Sequence, residues 1–97
     1  MLSLSEEERA VVLGILGRYL PKVAVRAYGS RSRGDSRRFS DLDLAILSER
    51  PLDLLVRDEL REAFSESELP FRVDILDWAS TTEAFRRSIE MDLVEFA

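Results

Sequence analysis

The sequence predicts an α/β (α+β) fold, in which a small mixed three-stranded sheet is covered by helices in the order α-β-loop-β-α-β-α. Three observations support this prediction. Short apolar runs typical of buried strands occur at 23–28, 41–47 and 71–76. The segments around them carry apolar residues at helical spacing. The chain has 97 residues, which suffices for one core, so we expect a single domain over residues 1–97.

The first half of the chain contains one helix and two strands. Ser5-Glu6-Glu7-Glu8 has the form of a capping box, with acidic residues where the helix dipole favours them. Apolar residues then recur at helical spacing until Pro21 ends the pattern. The run 23–28 predicts the first strand, which Gly29 ends, and a loop of about a dozen residues leads to the second strand at 41–47.

The second half predicts a helix, a strand and a final helix. Pro51 lies near the start of the second helix, and the strand 71–76 follows it. This strand–helix–strand unit should make the second and third strands parallel. Ser80-Thr81-Thr82-Glu83 predicts another helix start, and we expect this helix to pass Ile89 and continue towards Phe96. Its apolar side chains suit either a partner surface or ordinary core.

Composition narrows the possible functions. The net charge of −5 argues against general nucleic-acid binding, because it would repel phosphates over the whole surface. We find no long apolar run and no basic leader, so we expect no membrane contact and a cytoplasmic location. The chain has no cysteine and no histidine, so a bound metal would need oxygen ligands, as Mg²⁺, Mn²⁺ and Ca²⁺ do.

Three aspartates are the candidate metal ligands and catalytic residues. Asp41 and Asp43 are two residues apart on a strand, so their side chains project from the same face. Asp74 lies in an otherwise apolar strand that should be parallel to theirs. Three converging carboxylates can hold two Mg²⁺ ions roughly 3.5–4 Å apart, the geometry of phosphoryl and nucleotidyl transfer. The alternatives are a solvated acidic pair and a salt bridge from Asp74 to Arg26 or Arg72.

The segment before these acids is a candidate phosphate-binding loop. Gly29 follows a strand directly and would let the backbone approach a ligand, while the Ser30 hydroxyl adds a donor. Arg31 and Arg33 could neutralise a triphosphate, because guanidinium groups bind phosphate bidentately. The locally basic segment therefore favours a small anionic ligand. An ordinary turn and a solvated run of arginines are the alternatives.

The combination of these motifs resembles a known family. Gly29-Ser30, ten residues and then Asp41-Leu42-Asp43 is similar to the signature of minimal nucleotidyltransferases in the DNA polymerase β-like superfamily. Asp74 matches the third carboxylate of that family. The resemblance implies a nucleotidyltransferase-like fold, with Asp41 and Asp43 on both metals and Asp74 on the catalytic metal and the acceptor hydroxyl. It also implies that Gly29 and Ser30 hold the β- and γ-phosphates; the roles of Arg31 and Arg33 go beyond the resemblance.

The resemblance also implies a function. Many such short proteins are antitoxins that pair with a HEPN-domain ribonuclease toxin and transfer AMP from ATP to a tyrosine of the toxin, with Mg²⁺ as the metal. We therefore expect a protein adenylyltransferase that has a HEPN toxin as its partner. Neutralisation by binding alone is the main alternative, and transfer to a small molecule is a weaker one. Larger relatives carry a further helical domain, so either base recognition is weak here or a partner completes the site.

Overall fold

The computed structural model describes residues 2–97, which form a four-stranded mixed sheet with helices packed on it. The strand order is β3-β2-β1-β4. β1 is antiparallel to both of its neighbours, whereas β2 and β3 are parallel. The strands are β1 (Val25–Tyr28), β2 (Leu42–Ile46), β3 (Val73–Asp77) and β4 (Val94–Glu95). The helices are α1 (Glu6–Tyr19), α2 (Ser30–Arg33), α3 (Leu54–Ser65) and α4 (Glu83–Ile89), with 3₁₀ turns at Trp78–Ser80 and Glu90–Asp92.

The predicted start of α1 is confirmed in atomic detail. The Ser5 hydroxyl accepts a hydrogen bond from the backbone N–H of Glu8, and the Glu8 carboxylate accepts one from the backbone N–H of Ser5. This reciprocal arrangement satisfies two of the donors that a helix N-terminus leaves without intrahelical partners. α1 is thus anchored immediately before its buried residues Val12 and Leu16.

The strand–helix–strand unit is also confirmed, because β2 and β3 are parallel and α3 connects them. The Asp53 carboxylate caps α3 by accepting hydrogen bonds from the backbone N–H groups of Leu55 and Val56. Leu60 and Phe64 are the buried residues of α3, and the helix packs against the sheet through them. The parallel register brings β2 and β3 side by side with their N-terminal ends at the same edge.

The two faces of the sheet are covered unequally. Leu42, Leu44 and Ile46 are fully buried in the main core, which lies between the sheet and the helices α1 and α3. The alternate residues of the strands face the other way, where Tyr28, Ala45 and Ile89 form a smaller cluster. The second face therefore has less cover, and the predicted site residues Asp43 and Asp74 lie on it.

The C-terminal segment corrects the prediction of three strands and a long last helix. α4 ends at Ile89, and after a 3₁₀ turn the chain pairs with β1, with Arg26 opposite Glu95 and Ala27 opposite Val94. The edge of β1 offers backbone donors and acceptors that a final helix would leave without partners. Phe96 follows the strand and is only 4% exposed, so this segment completes the core.

The start of α4 also differs slightly from the prediction. Thr82 is the N-cap and accepts from the backbone N–H of Phe85, whereas Ser80 belongs to the preceding 3₁₀ turn. Both residues are hydroxyl-bearing, so the sequence pattern alone does not choose between them. No helix within residues 2–97 is long and apolar enough to cross a membrane.

Candidate active site

The sheet register brings the predicted acids together. Asp43 of β2 lies directly opposite Asp74 of β3 in the parallel pair. Register partners on neighbouring strands project from the same face of a sheet, so the two carboxylates share one surface. Asp41 lies just before β2 and is two residues from Asp43, on the same side. Within residues 2–97 Asp74 forms no salt bridge, which disfavours the alternative of a pair with Arg26 or Arg72.

The electrostatics of Asp43 reflect this crowding. The pKa of its carboxyl is raised from 3.8 to about 6, first by partial burial and then by the negative charges of Asp74 and Asp41. The positive charge of Arg33 partly opposes this shift. These carboxylates repel one another and are partly desolvated, so a bound cation would stabilise them by neutralising their charge.

The donor chemistry of this cluster fits a hard cation, since every candidate ligand is a carboxylate oxygen. No three acidic side chains among the described residues are already placed as a complete ligand set. A cation here would need ligands from outside the protein, and phosphate oxygens of a nucleotide are of the right type.

Gly29 lies close to the carboxylate of Asp43. Its backbone has φ 80° and ψ −158°, a conformation that is essentially restricted to glycine. A Cβ atom at this position would collide with Oδ2 of Asp43 and would lie 3.4 Å from its Cγ. The sequence therefore needs glycine here for two reasons, backbone conformation and close approach to Asp43. The predicted glycine–serine turn and the predicted acids are adjacent in space.

The turn continues as the single-turn helix α2. The Gly29 carbonyl accepts hydrogen bonds from the backbone N–H groups of Ser32 and Arg33, at 3.1 and 3.0 Å. Ser30 is the first residue of α2 and is partly buried. Gly34, which has φ 83°, ends the helix and donates to the Ser30 carbonyl. Ser30 is thus held beside Gly29 at the edge of the acidic face.

Arg31 does not join this group, contrary to the expectation that it binds phosphate. Its side chain is 4% exposed. The guanidinium donates to the backbone carbonyls of Ser40 at 2.9 Å, Ser3 at 2.7 Å and Arg38 at 3.0 Å. It also lies over the ring of Phe71, 4.1 Å from the ring centroid. With these donors directed at carbonyls, Arg31 holds the loop that precedes Asp41 and is not free to bind a ligand.

Arg33, unlike Arg31, is paired with acidic side chains. Its guanidinium forms salt bridges with Asp92 at 3.0 Å and Asp35 at 3.3 Å. These hydrogen bonds raise the pKa of Arg33. Its side chain is 47% exposed, and its charge lowers the pKa of Asp43. Arg33 therefore remains near enough to the acids to act on an anionic ligand there.

Tyr28 is a site residue that the sequence reasoning missed. It lies opposite Asp43 in the antiparallel pair of β1 and β2. Burial and the charges of Asp43 and Asp74 raise the pKa of its hydroxyl to about 12. Its ring contacts that of Phe85 edge-on, with 6.5 Å between centroids. The available signal was its position as the last strand residue before Gly29, at the end of the strand where the acids begin.

This chain has relatives among known proteins, in sequence and in structure. A probable protein adenylyltransferase MntA of Haemophilus influenzae is 57% identical over 88 residues, which cover 91% of this chain and 77% of the relative. A chain in a crystal structure of a toxin–antitoxin with AMP-PNP is 27% identical and superposes with a TM-score of 0.76. That match covers 92% of this chain and 72% of the other.

A more distant solved structure shares the fold. It is a tri-AMPylated Shewanella oneidensis HEPN toxin in complex with an MNT antitoxin, matched at 23% identity with a TM-score of 0.67 over 92% of this chain and 68% of the other. The family model of polymerase beta nucleotidyltransferases matches residues 15–94, a stretch that contains the glycine–serine turn and all three aspartates. This chain therefore belongs to the polymerase beta nucleotidyltransferase family.

Proposed function

We propose that this protein is a Mg²⁺-dependent adenylyltransferase that transfers AMP from ATP to a tyrosine hydroxyl of a HEPN ribonuclease toxin and thereby acts as an antitoxin in the cytoplasm. One observation carries the proposal. Gly29 touches Asp43, and Asp43 lies opposite Asp74, so a turn suited to phosphates and a set of acids suited to metals form one site. The 57% identical relative that is described as a probable protein adenylyltransferase supports the choice of reaction.

Asp41, Asp43 and Asp74 would hold two Mg²⁺ ions, or Mn²⁺ in their place. The partly buried and mutually repelling carboxylates fit this role, as does the absence of histidine and cysteine from the chain. The ions, when bound, would neutralise phosphate charge and stabilise the attacking and leaving oxygens.

The residues of this chain would bind and orient the two substrates. Gly29 and Ser30 would hold the β- and γ-phosphates, and Arg33 would supply nearby positive charge. Asp74 would orient the acceptor hydroxyl and accept its proton. The hydroxyl oxygen then forms a bond to the α-phosphorus, while the bond from this phosphorus to the bridging oxygen breaks. Pyrophosphate leaves with that electron pair, and AMP remains on the acceptor.

The decisive experiment is intact-mass spectrometry of the protein encoded beside this one, after incubation with this chain, ATP and Mg²⁺. We expect mass increments of one or more AMP units, which Asp43→Asn abolishes. Asp58→Asn is the matched control, because Asp58 is an exposed acid on α3 outside the site. An unchanged mass with the wild-type protein, or full modification by Asp43→Asn, would refute the proposal.

Neutralisation by binding alone is a second candidate function. Two apolar side chains at the C-terminal end, Phe85 and Met91, are 41% and 92% exposed and could contact a partner. The net charge of −5 would complement a basic RNA-binding surface. In this case Asp43→Asn would still silence the toxin, whereas Phe85→Ser/Met91→Ser would not. A toxin that Asp43→Asn fails to silence, although the complex still forms, would exclude this candidate.

A further inference from the structure

We propose that the cleft beside Asp74 binds the acceptor segment, and that this segment carries its tyrosine next to acidic side chains. The inference rests on the proposed adenylyltransferase function. The cleft has a volume of about 520 Å³ and lies between α3 and β3, which is an edge strand of the sheet within residues 2–97. Arg61, Phe64, Phe71, Arg72 and Asp74 are among the residues that line it.

The charge of the cleft indicates an acidic ligand. Arg61 and Arg72 are both exposed, and neither side chain forms a hydrogen bond or a salt bridge with any other residue in 2–97. The two guanidinium groups lie on one cleft and have no partner within the described residues, so they are available for carboxylates from another molecule. Carboxylate side chains that flank the acceptor residue would pair with them.

The floor of the cleft suits an aromatic ring. Phe64 and Phe71, which are 5% and 7% exposed, both line the cleft. Arg31 lies over the ring of Phe71 and keeps that ring in place. The cleft thus combines an apolar floor with charged side chains beside it. This combination suits tyrosine, whose ring is apolar and whose hydroxyl is polar.

The position of Asp74 connects this cleft to the reacting groups. Asp74 lines the cleft and lies opposite Asp43 in the sheet register. Phe64 and Phe71 belong to the main core, whereas Asp74 lies on the acidic face, so the cleft extends around the outer edge of β3. A tyrosine bound in the cleft would reach Asp74 across that edge. The nucleotide would approach from the other side, where Gly29 touches Asp43. The two substrates would thus meet at the acids from opposite directions.

The test uses two defined acceptors, a random copolymer of glutamate and tyrosine and a random copolymer of lysine and tyrosine. Wild-type protein with Mg²⁺ and ATP labelled at the α-phosphate should label the first copolymer and not the second. Arg61→Glu/Arg72→Glu should lower labelling of the glutamate copolymer by about tenfold or more, and should gain labelling of the lysine copolymer. Arg50→Glu, the same charge change at an exposed position outside the cleft, should behave as wild type.

Several results would overturn the proposal. Equal labelling of the glutamate copolymer by the double variant and wild type would do so. A loss of affinity for an ATP analogue in the double variant would also overturn it, because the cleft would then be part of the nucleotide-binding site. If the toxin is modified by wild type and double variant at the same rate, the proposed function stands and the cleft proposal fails.

A binding measurement separates the two proposals when no transfer is seen. The probe is a fluorescein-labelled peptide with one tyrosine between glutamates, and its anisotropy reports binding to the wild-type chain. Binding that Arg61→Glu/Arg72→Glu abolishes and Arg50→Glu preserves would support the cleft even if the chain transfers no AMP. Failure of the wild-type protein to bind this peptide would overturn the cleft proposal.

Discussion

At the scale of single residues, Asp43 is the point at which the site is assembled. Its carboxylate contacts the Gly29 turn, its register partner in β3 is Asp74, and its partner in β1 is Tyr28. Tyr28 and Gly29 are consecutive at the end of β1, whereas Asp74 comes from a distant segment of the chain. The partial burial and crowding that raise the pKa of Asp43 are therefore consequences of the sheet, and they affect both function and stability.

Gly29→Ala and Gly34→Ala compare two glycines that share a positive φ but differ in ψ and in their surroundings. Both glycines have positive φ, but only at Gly29 would a Cβ collide with another residue. We expect Gly34→Ala to lower the free energy of unfolding by about 1–2 kcal/mol, and Gly29→Ala to lower it by more than about 2 kcal/mol. Urea denaturation measures both values. Equal losses would show that neither the backbone conformation of Gly29 nor its close approach to Asp43 adds to the cost.

Asp43→Asn should stabilise the protein at neutral pH when divalent cations are absent. The folded state raises the pKa of Asp43 from 3.8 to about 6, so the charged form is disfavoured by folding. The contribution of this carboxyl to stability is fully present below pH 3.8 and is lost as the pH rises to about 6. Asparagine does not titrate and avoids this loss.

Thermal denaturation with EDTA, at about pH 4 and about pH 7, tests whether Asp43→Asn raises or lowers stability. The variant should have the higher Tm near neutral pH, and the difference should shrink in acid. Asp58→Asn, at an exposed position, should show a much smaller difference. A wild-type protein that is the more stable at neutral pH would contradict the expected electrostatics.

At the scale of secondary-structure elements, the C-terminal segment shows where sequence patterns stop being informative. Ile89, Leu93 and Phe96 fit a helical spacing, yet the helix ends at Ile89 and β4 follows. The apolar–polar alternation over 94–96 also fits a strand, and a segment this short cannot distinguish the two periods. The open edge of β1, to which β4 binds, decides the outcome.

Phe96→Ala should therefore be strongly destabilising although it lies next to the C-terminus. The side chain is 4% exposed and belongs to the main core. We expect the free energy of unfolding to fall by about 3 kcal/mol. Met91→Ala is the control, since Met91 is 92% exposed and should change stability by less than about 0.5 kcal/mol. Similar midpoints of urea denaturation for the two variants would exclude a structural role for the segment.

At the scale of the whole molecule, one face of the sheet contributes to stability and the other carries the candidate active site. α1 and α3 cover one face and bury the main core there, whereas the acids lie on the face with the smaller apolar cluster. Arg31 connects distant parts of this arrangement, because it binds the carbonyls of Ser3 and Ser40 and contacts Phe71 just before β3. The segments that carry Asp41 and Asp74 are thereby held together outside the sheet.

Arg31→Met should consequently destabilise the whole fold. The substitution removes donors from carbonyls in two segments, and we expect it to lower the free energy of unfolding by about 2–3 kcal/mol. Arg33→Met is the control, because its exposed salt bridges should contribute less than about 1 kcal/mol. Urea denaturation compares them. A larger loss for Arg33→Met would reverse the structural roles we assign to the two arginines.

The sequence by itself determined α1, α3, the part of α4 before Ile89, the strands β1 to β3, the parallel pairing of β2 with β3 and the approach of Asp43 to Asp74, but not the short helix α2 in the predicted loop. These elements and pairings follow from hydrophobic periodicity, helix caps and the strand–helix–strand connection, all of which are visible in short stretches of sequence. Only the tertiary structure decided that β4 joins β1, that Arg31 binds backbone carbonyls and that Tyr28 lies beside the acids. These outcomes depend on burial and on pairing between segments far apart in the chain, and no short pattern encodes either.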